Sequence, residues 1–123
     1  MTKSLPQTGQ VSRDYRATNA DPITVRAGEP LLLSGRVEPW MDQPEWIWVW
    51  ATDPRGKSGW VPQTYILQQG DQASARYDYS ARELDAGAGE IVRIEREESG
   101  WYWCANHQGE QGWLPVDHVH LPD

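Results

Sequence analysis

The most regular hydrophobic pattern in the chain is EWIWVWA (residues 45–51), where tryptophans alternate with smaller apolar residues. Because successive side chains of a β-strand point to opposite faces, this alternation predicts a strand with two different faces. The smaller residues suit a core, so the tryptophans are predicted to face outward. The two rows are Ile47, Val49 and Ala51 on the inner face, and Trp46, Trp48 and Trp50 on the outer face. The same alternation in GWYWCAN places Tyr102 and Cys104 inward and Trp101 and Trp103 outward.

Other short apolar stretches, separated by glycine and proline turns, are typical of further strands. No stretch has the length and period of a long helix, although the segments QTYIL and VDHVHL could each contain one helical turn. The predicted strands are EPLLLSG and GEIVRIE, EWIWVWA and GWYWCAN, and the segments that begin WVP and WLP. The predicted hairpin loops are DPRGKSG and NHQGEQG.

Four landmarks occur twice in the same order, which indicates a diverged internal repeat. They are RDYRA and YDYSA, AGE twice, WIW and WYW, and GWVP and GWLP. The spacing between matched landmarks falls from 64 to 61, then to 55 and 53, as expected when loops are shortened. The sequence therefore predicts an N-terminal tail (1–10), a first domain (11–67), a short linker (68–74) and a second domain (75–121).

Composition narrows the classes of partner. The chain has 123 residues, a net charge of −7 and a pI near 4.8, which argues against nucleic acid or an anionic membrane as a partner. The single cysteine, Cys104, excludes an internal disulfide and a thiolate metal cluster. The start of the chain has no apolar segment typical of a signal peptide, so we expect a cytoplasmic protein.

No catalytic motif is present in the sequence. It has no G-x-S-x-G, no phosphate-binding loop and no H-E-x-x-H. His118 and His120 share a strand face, but two ligands without a nearby cysteine do not make a zinc site. We therefore expect no enzyme activity, no metal and no cofactor.

The second copy resembles an SH3 domain in the motifs ARYDYSA, ELDAGAGE, GWYW, HQGEQGWLP and DHV. The first copy is similar but more diverged, with SRDYRA, DPITVRAGE, WIW, GKSGWVP and TYI. The resemblance implies an all-β fold of two small five-stranded SH3-like barrels in tandem. It also implies a shallow aromatic groove that binds a polyproline helix, since such a peptide is already extended and packs its rings on aromatic faces.

Carried over residue by residue, the resemblance implies a groove in each barrel. The second groove would use Tyr77, Tyr79, Trp101, Pro115 and His118, with Glu83, Asp85, Glu97 and Glu98 receiving a basic residue of the peptide. The first groove would be weaker, because Arg13 replaces its first tyrosine. Its residues would be Tyr15, Asp21, Trp46, Pro62 and Tyr65.

Three outward tryptophans, Trp48, Trp50 and Trp103, have no role in a single SH3 domain. Adjacent exposed indoles form the kind of apolar patch that marks an interface. We therefore predict that they are covered, either between the two barrels or in a homodimer.

The leading hypothesis is a non-catalytic module that captures a proline-containing, basic peptide mainly through the second groove. The runner-up is a structural or assembly module, or an accessory subunit, that uses exposed tryptophans and has no peptide ligand. A bacterial-type SH3 domain that recognises cell-wall peptide is a third class.

Overall fold

The computed structural model describes residues 5–18 and 21–122, and the described part of the chain is built from strands and two 3-10 helices. The helices are Gln63–Tyr65 and Val116–His118, one in each of the predicted single-turn segments. The strands are β1 Gln7–Val11, β2 Thr24–Val25, β3 Pro30–Pro39, β4 Ile47–Thr52, β5 Ser58–Pro62, β6 Ile66–Gln69, β7 Gln72–Ala75, β8 Tyr79–Ser80, β9 Ile91–Glu98, β10 Trp101–Ala105, β11 Gln111–Pro115 and β12 Val119–His120.

These strands form two compact units. Unit 1 combines the described residues up to Thr18 with those from Arg82 onward, and unit 2 spans Asp21–Ala81. Unit 1 contains a five-stranded sheet in the order β11-β10-β9-β1-β12, whereas unit 2 contains the sheet β5-β4-β3-β7-β6 and the pair β2-β8. The all-β prediction is confirmed. Among the described residues, however, each five-stranded sheet is open, so closure into a barrel is not observed.

The two units differ from the predicted division into residues 11–67 and 75–121. Strand β1, from the first repeat, pairs with β9 and β12 of the second repeat. Strand β7, from the second repeat, pairs with β3 and β6 of the first. We call residues 7–18 and 72–81 the first segments, and residues 21–69 and 82–121 the bodies, of the two repeats. Each unit therefore consists of the body of one repeat and the first segment of the other repeat.

The predicted inner face of the third strand of each repeat is confirmed except at Ile47, the first residue of β4, which is half-buried. Val49 and Ala51 of β4 are 5% and 0% exposed, and Tyr102 and Cys104 of β10 are similarly buried. The two β10 residues belong to the core of unit 1, together with Val11, Leu84, Ala86, Val92, Ile94, Leu114 and Val119. The alternation of side chains along a strand therefore identified core residues correctly.

The outer tryptophan row is covered by aromatic and cationic neighbours within each unit. Trp50 meets Trp60 edge to face at 5.2 Å, and the guanidinium of Arg36 lies 4.9 Å from the centroid of Trp60. Unit 1 repeats this arrangement with a second set of residues. They are Trp103 and Trp113, also at 5.2 Å, with Arg96 over both rings. Such T-shaped and cation–π contacts shield indole faces from water.

The predicted interface role of Trp48, Trp50 and Trp103 stays a prediction. Trp48 is only 7% exposed, and Trp50 and Trp103 are half-buried with partners in their own units. Trp50 and Trp103 are thus partly covered by aromatic residues of their own units.

Cys104 provides a probe of unfolding. Burial, and secondarily the charge of Glu95, raises the pKa of its thiol to about 12. The thiolate is the reactive form, so at pH 8 we expect labelling by a disulfide reagent to be about a thousandfold slower in the folded protein than in the unfolded chain. Because the pKa of the thiol is higher in the folded state, protonation of Cys104 contributes to the free energy of unfolding below pH 9. This contribution is lost as the pH rises toward 12. Labelling rates measured with and without urea check the first expectation, and fast labelling of the folded protein would contradict it.

Candidate aromatic groove

Three tyrosines form an edge-to-face cluster on unit 2, which we call the tyrosine ridge. Tyr65 ends the first 3-10 helix and lies 5.1 Å from Tyr77 and 5.6 Å from Tyr79, both edge to face. Tyr79 is held in place because its hydroxyl donates to the carbonyl oxygen of Trp60 at 2.7 Å. Tyr77 is 54% exposed, whereas Tyr65 and Tyr79 are buried. The ridge therefore offers one open aromatic face on a fixed base.

Trp48 and Pro62 belong to the strands that lead into the 3-10 helix of the tyrosine ridge. They are opposite each other in the β4–β5 pair, and Pro62 directly precedes the helix that carries Tyr65. Pro62 begins this turn where a missing backbone donor costs nothing. Unit 2 thus contains three of the tyrosines and one of the prolines that the SH3 resemblance assigned to a groove, Tyr65, Tyr77, Tyr79 and Pro62.

Unit 1 has a corresponding cluster of different composition, which we call the mixed cluster. Tyr15 lies edge to face with Trp101 at 6.0 Å and with His118 at 5.3 Å. Pro115 is opposite Trp101 in the β10–β11 pair. Trp101 is only 9% exposed, less than expected for a residue that forms the floor of an open groove.

A cation takes the place of the exposed tyrosine in unit 1. Arg13 lies 64 residues before Tyr77, the same spacing as Tyr15 and Tyr79. Its guanidinium donates to the Asp117 carboxylate at 2.9 Å and to the Asp117 carbonyl oxygen at 3.0 Å. Burial would raise the pKa of Asp117, but His118 and Arg13 outweigh it and hold this pKa below its usual value. The edge of the mixed cluster is therefore charged.

Two predicted acids of the second groove have internal roles in unit 1. Glu83 Oε1 accepts from the Tyr15 hydroxyl at 2.9 Å, and from the backbone N–H and the hydroxyl of Thr18 at 2.9 and 3.0 Å. Asp85 accepts from the Ala17 N–H at 2.7 Å. Burial and the Glu83 charge raise the pKa of the Tyr15 phenol. Both acids thus anchor the first segment of the other repeat.

The remaining predicted acids lie at the surface. Glu98 accepts from the Ser99 hydroxyl at 2.8 Å, and Glu97 is exposed opposite Tyr102. In unit 2, Asp21 forms an ion pair with Lys57 at 2.6 Å, and its side chain is 75% exposed. A basic residue of a ligand would compete with Lys57 for Asp21.

The structure groups the predicted site residues differently from the sequence. Tyr77 and Tyr79 join Tyr65 and Pro62 in unit 2, whereas Tyr15 joins the second-groove residues Trp101, Pro115 and His118 in unit 1. The residue types were predicted, but the exchange of first segments was not.

Trp48, rather than Trp46, is the counterpart of Trp101. Trp48 is opposite Pro62 as Trp101 is opposite Pro115, so the spacing is 53 residues throughout this hairpin. Trp46 precedes β4, and its backbone exchanges hydrogen bonds with Trp40 and Gln43. The two extra residues of the first repeat therefore lie before β4 and not within the hairpin.

The described residues hold no group of three or more histidines, cysteines or carboxylates placed to bind a metal ion. None of the helices in the described ranges is long and apolar enough to span a bilayer.

Comparison with protein families matches residues 8–69, half of the chain, to the variant SH3 domain. This match starts in the first segment now found in unit 1 and continues through the body of unit 2. No solved structure matches the chain.

Three curated proteins show similarity to the chain. Mouse intersectin-1 is 25% identical over 94% of this chain and 8% of its own length. An SH3 and F-BAR domain-containing protein of Dictyostelium discoideum is 24% identical over 88% of this chain and 22% of its own length. Human SH3 and PX domain-containing protein 2A is 35% identical over 60% of this chain and 7% of its own. The chain thus spans less than a quarter of each of these relatives.

Proposed function

Since the chain belongs to the variant SH3 domain family, we propose that it is a protein-interaction module that captures an extended, proline-containing peptide on the tyrosine ridge of unit 2. The SH3 domain is a non-catalytic interaction module, and the similar proteins carry SH3 domains by name. Beyond the family's general role in protein interaction, the proposal names the class of peptide and the groove that receives it.

The observation that carries the proposal is the exposed face of Tyr77 above Tyr65. A polyproline helix loses little conformational entropy when it binds, and its rings pack on flat aromatic surfaces. Tyr77 meets the buried ring of Tyr65 edge to face at 5.1 Å and 72°, and this contact supports the exposed ring of Tyr77. The mixed cluster has a guanidinium at this place. We therefore assign the main groove to unit 2. The sequence had instead favoured a groove built only from residues of the second repeat.

The ligand class can be tested with an array of proline-rich peptides probed with the intact protein. Hits that contain two prolines in polyproline spacing would support the proposal, and an array without hits would contradict it. The best hit then serves as the probe in the mutant tests.

We predict that Tyr77→Ala weakens capture of that peptide by about 2 kcal/mol, or roughly thirtyfold, because central aromatic residues dominate such interfaces. The melting temperature should change little, since Tyr77 is 54% exposed. Isothermal titration calorimetry and thermal melts measure the two effects.

The matched control is Arg13→Ala, which changes the equivalent position of unit 1. It should leave the affinity within about twofold of the parent, a difference too small to reflect a lost anchor residue. If Arg13→Ala weakened binding and Tyr77→Ala did not, the mixed cluster would be the groove.

We also propose that the peptide contains a basic residue. The net charge of −7 attracts a cationic ligand, and Asp21 is an exposed acid in unit 2. Binding of a basic peptide should then weaken as salt rises, because exposed opposite charges are screened. An affinity that does not change between low and high salt would remove the basic residue from the proposal.

A further inference from the structure

The two units are closed by the same backbone hydrogen bonds. In unit 1 the N–H of Val11 donates to the Glu90 oxygen at 2.8 Å, and the Gly89 N–H donates back to Val11 at 2.7 Å. In unit 2 the corresponding bonds join Ala75 to Glu29 at 2.9 Å and Gly28 to Ala75 at 2.8 Å. The first segments are offset by 64 residues and the bodies by 61. The two first segments are therefore equivalent in register.

The side chains that hold the first segments are equivalent too. Asp14 accepts from the Ala88 N–H at 2.7 Å in unit 1, and Asp78 accepts from the Ala27 N–H at 2.9 Å in unit 2. Each pair shows the same offsets of 64 and 61. Each of these contacts has an equivalent in the other unit, so these contacts do not explain why the exchanged arrangement forms. The bonds from residues 15–18 to Glu83 and Asp85 do favour it, because Pro22 and Thr24 occupy the corresponding positions of the first body.

The connections between first segment and body are unequal. In unit 2, Ser80 pairs with Thr24, and the Ala81 N–H donates to Ile23. By the same offsets, closure of the first repeat on itself would pair Ala17 with Ile23, which leaves residues 18–22 as a five-residue loop. Closure of the second repeat would pair Ala81 with Leu84 and leave a loop of only two residues, Arg82 and Glu83.

Arg82 and Glu83 are poorly suited to a two-residue hairpin loop. Such loops adopt turns with positive φ and are built from glycine, asparagine or aspartate. In the structure this connection runs extended instead. The Trp113 N–H donates to Arg82 at 2.9 Å, the Leu84 N–H donates to Trp113 at 3.1 Å, and Glu83 forms a parallel bridge with the same tryptophan.

We infer that the two-residue connection Arg82–Glu83 prevents the second repeat from closing on itself and so forces the two repeats to exchange first segments within one chain. Short hinge loops are a general cause of such exchange. The inference goes beyond the proposed function, because it states why each aromatic cluster needs residues from both repeats.

Cleavage between the repeats tests the inference. A protease site inserted in the turn at Gly70 and Asp71, between β6 and β7, divides the chain into its two repeats. After cleavage, unfolding and refolding at low micromolar concentration, we expect the parent fragments to elute together, because each unit is built from both. Separate elution of the parent fragments would overturn the exchange.

The second variant adds Asn-Gly-Ser between Arg82 and Glu83, which restores a five-residue loop. After the same treatment its fragments should elute separately, because each repeat can close alone. A matched control carries the same three residues between His107 and Gln108, in the β10–β11 hairpin, and should elute like the parent. Fragments that stay together in the loop variant, or a loop variant that loses its sheet signal in circular dichroism, would overturn the inference.

A disulfide reports the pairing directly. Thr24 and Ser80 are opposite each other in unit 2, so Thr24→Cys with Ser80→Cys should form a disulfide that links the two fragments after cleavage. The link should form in the parent background and be lost in the loop variant. This readout separates true exchange from simple adhesion of two closed domains.

Discussion

Gly112→Ala is expected to destabilise unit 1 by about 3 kcal/mol or more, as overpacking against rigid backbone does. A Cβ at Gly112 would lie 2.7 Å from the Leu84 nitrogen and 2.8 Å from the Glu83 carbonyl carbon. These atoms belong to the connection that passes between the units, and β11 holds it through backbone hydrogen bonds. The connection cannot shift without breaking them. Urea unfolding followed by tryptophan fluorescence measures the loss.

Gly59→Ala is the matched control, since Gly59 has the position in β5 that Gly112 has in β11. Its added Cβ would lie 2.9 Å from Ile23 Cγ2, a side-chain atom that a small rotation can move. We expect a loss of about 1 kcal/mol, near the average for a point mutation. Equal losses in the two variants would show that the backbone of residues 83 and 84 can shift as easily as an isoleucine side chain.

Residues 71–123 expressed alone are expected to be unfolded, whereas residues 1–70 alone should fold. The first repeat has a five-residue connection and can close on itself, but the second has only Arg82 and Glu83 for the same turn. Adding residues 1–70 to residues 71–123 should then restore sheet structure to the second fragment. Circular dichroism of each fragment and of the equimolar mixture measures this.

The control for the fragments is residues 71–123 with Asn-Gly-Ser inserted between Arg82 and Glu83. This version should fold without the first repeat, because its loop is as long as that of the first repeat. A parent fragment 71–123 that is folded on its own would contradict the expected role of the short connection.

The strands and the core were predictable because alternation along a strand is a local property. Val49, Ala51, Tyr102 and Cys104 were placed inward from the sequence, and they are buried. The repeat was predictable from four recurring landmarks, and each helical turn lies in a segment where one was allowed. The interface role of Trp50 and Trp103 stays a prediction, and the sequence did not show that Trp60 and Trp113 of the neighbouring strand contact them.

The correspondence of Trp46 with Trp101 slipped by two residues for a physical reason. A shift of two positions keeps every side chain on the same face of a strand, and tryptophan occurs at three alternate positions, 46, 48 and 50, before and within β4. Burial pattern alone therefore could not distinguish Trp46 from Trp48. The pairing of Trp48 with Pro62 resolves the register.

The grouping of the site residues could not be predicted from motifs, because the two first segments form equivalent backbone hydrogen bonds in the same register, and the motifs do not show which body each segment joins. The sequence did contain the relevant signal. The spacing of matched residues falls from 64 to 61 between the tyrosine and glycine landmarks, so the second repeat lacks three residues at the one turn that self-closure requires.

The exchange also has a consequence for biosynthesis. Unit 2 is continuous in sequence, but in unit 1 Val11 pairs with Val119, a residue that the ribosome adds much later than Val11. A nascent chain of the first repeat can meanwhile close residues 11–18 on its own body. When residues 75–81 emerge, they must displace that segment from residues 21–29 before unit 1 can form. Pairing of segments distant in sequence is slower than closure of a local hairpin, so formation of unit 1 is expected to be the slow step of folding.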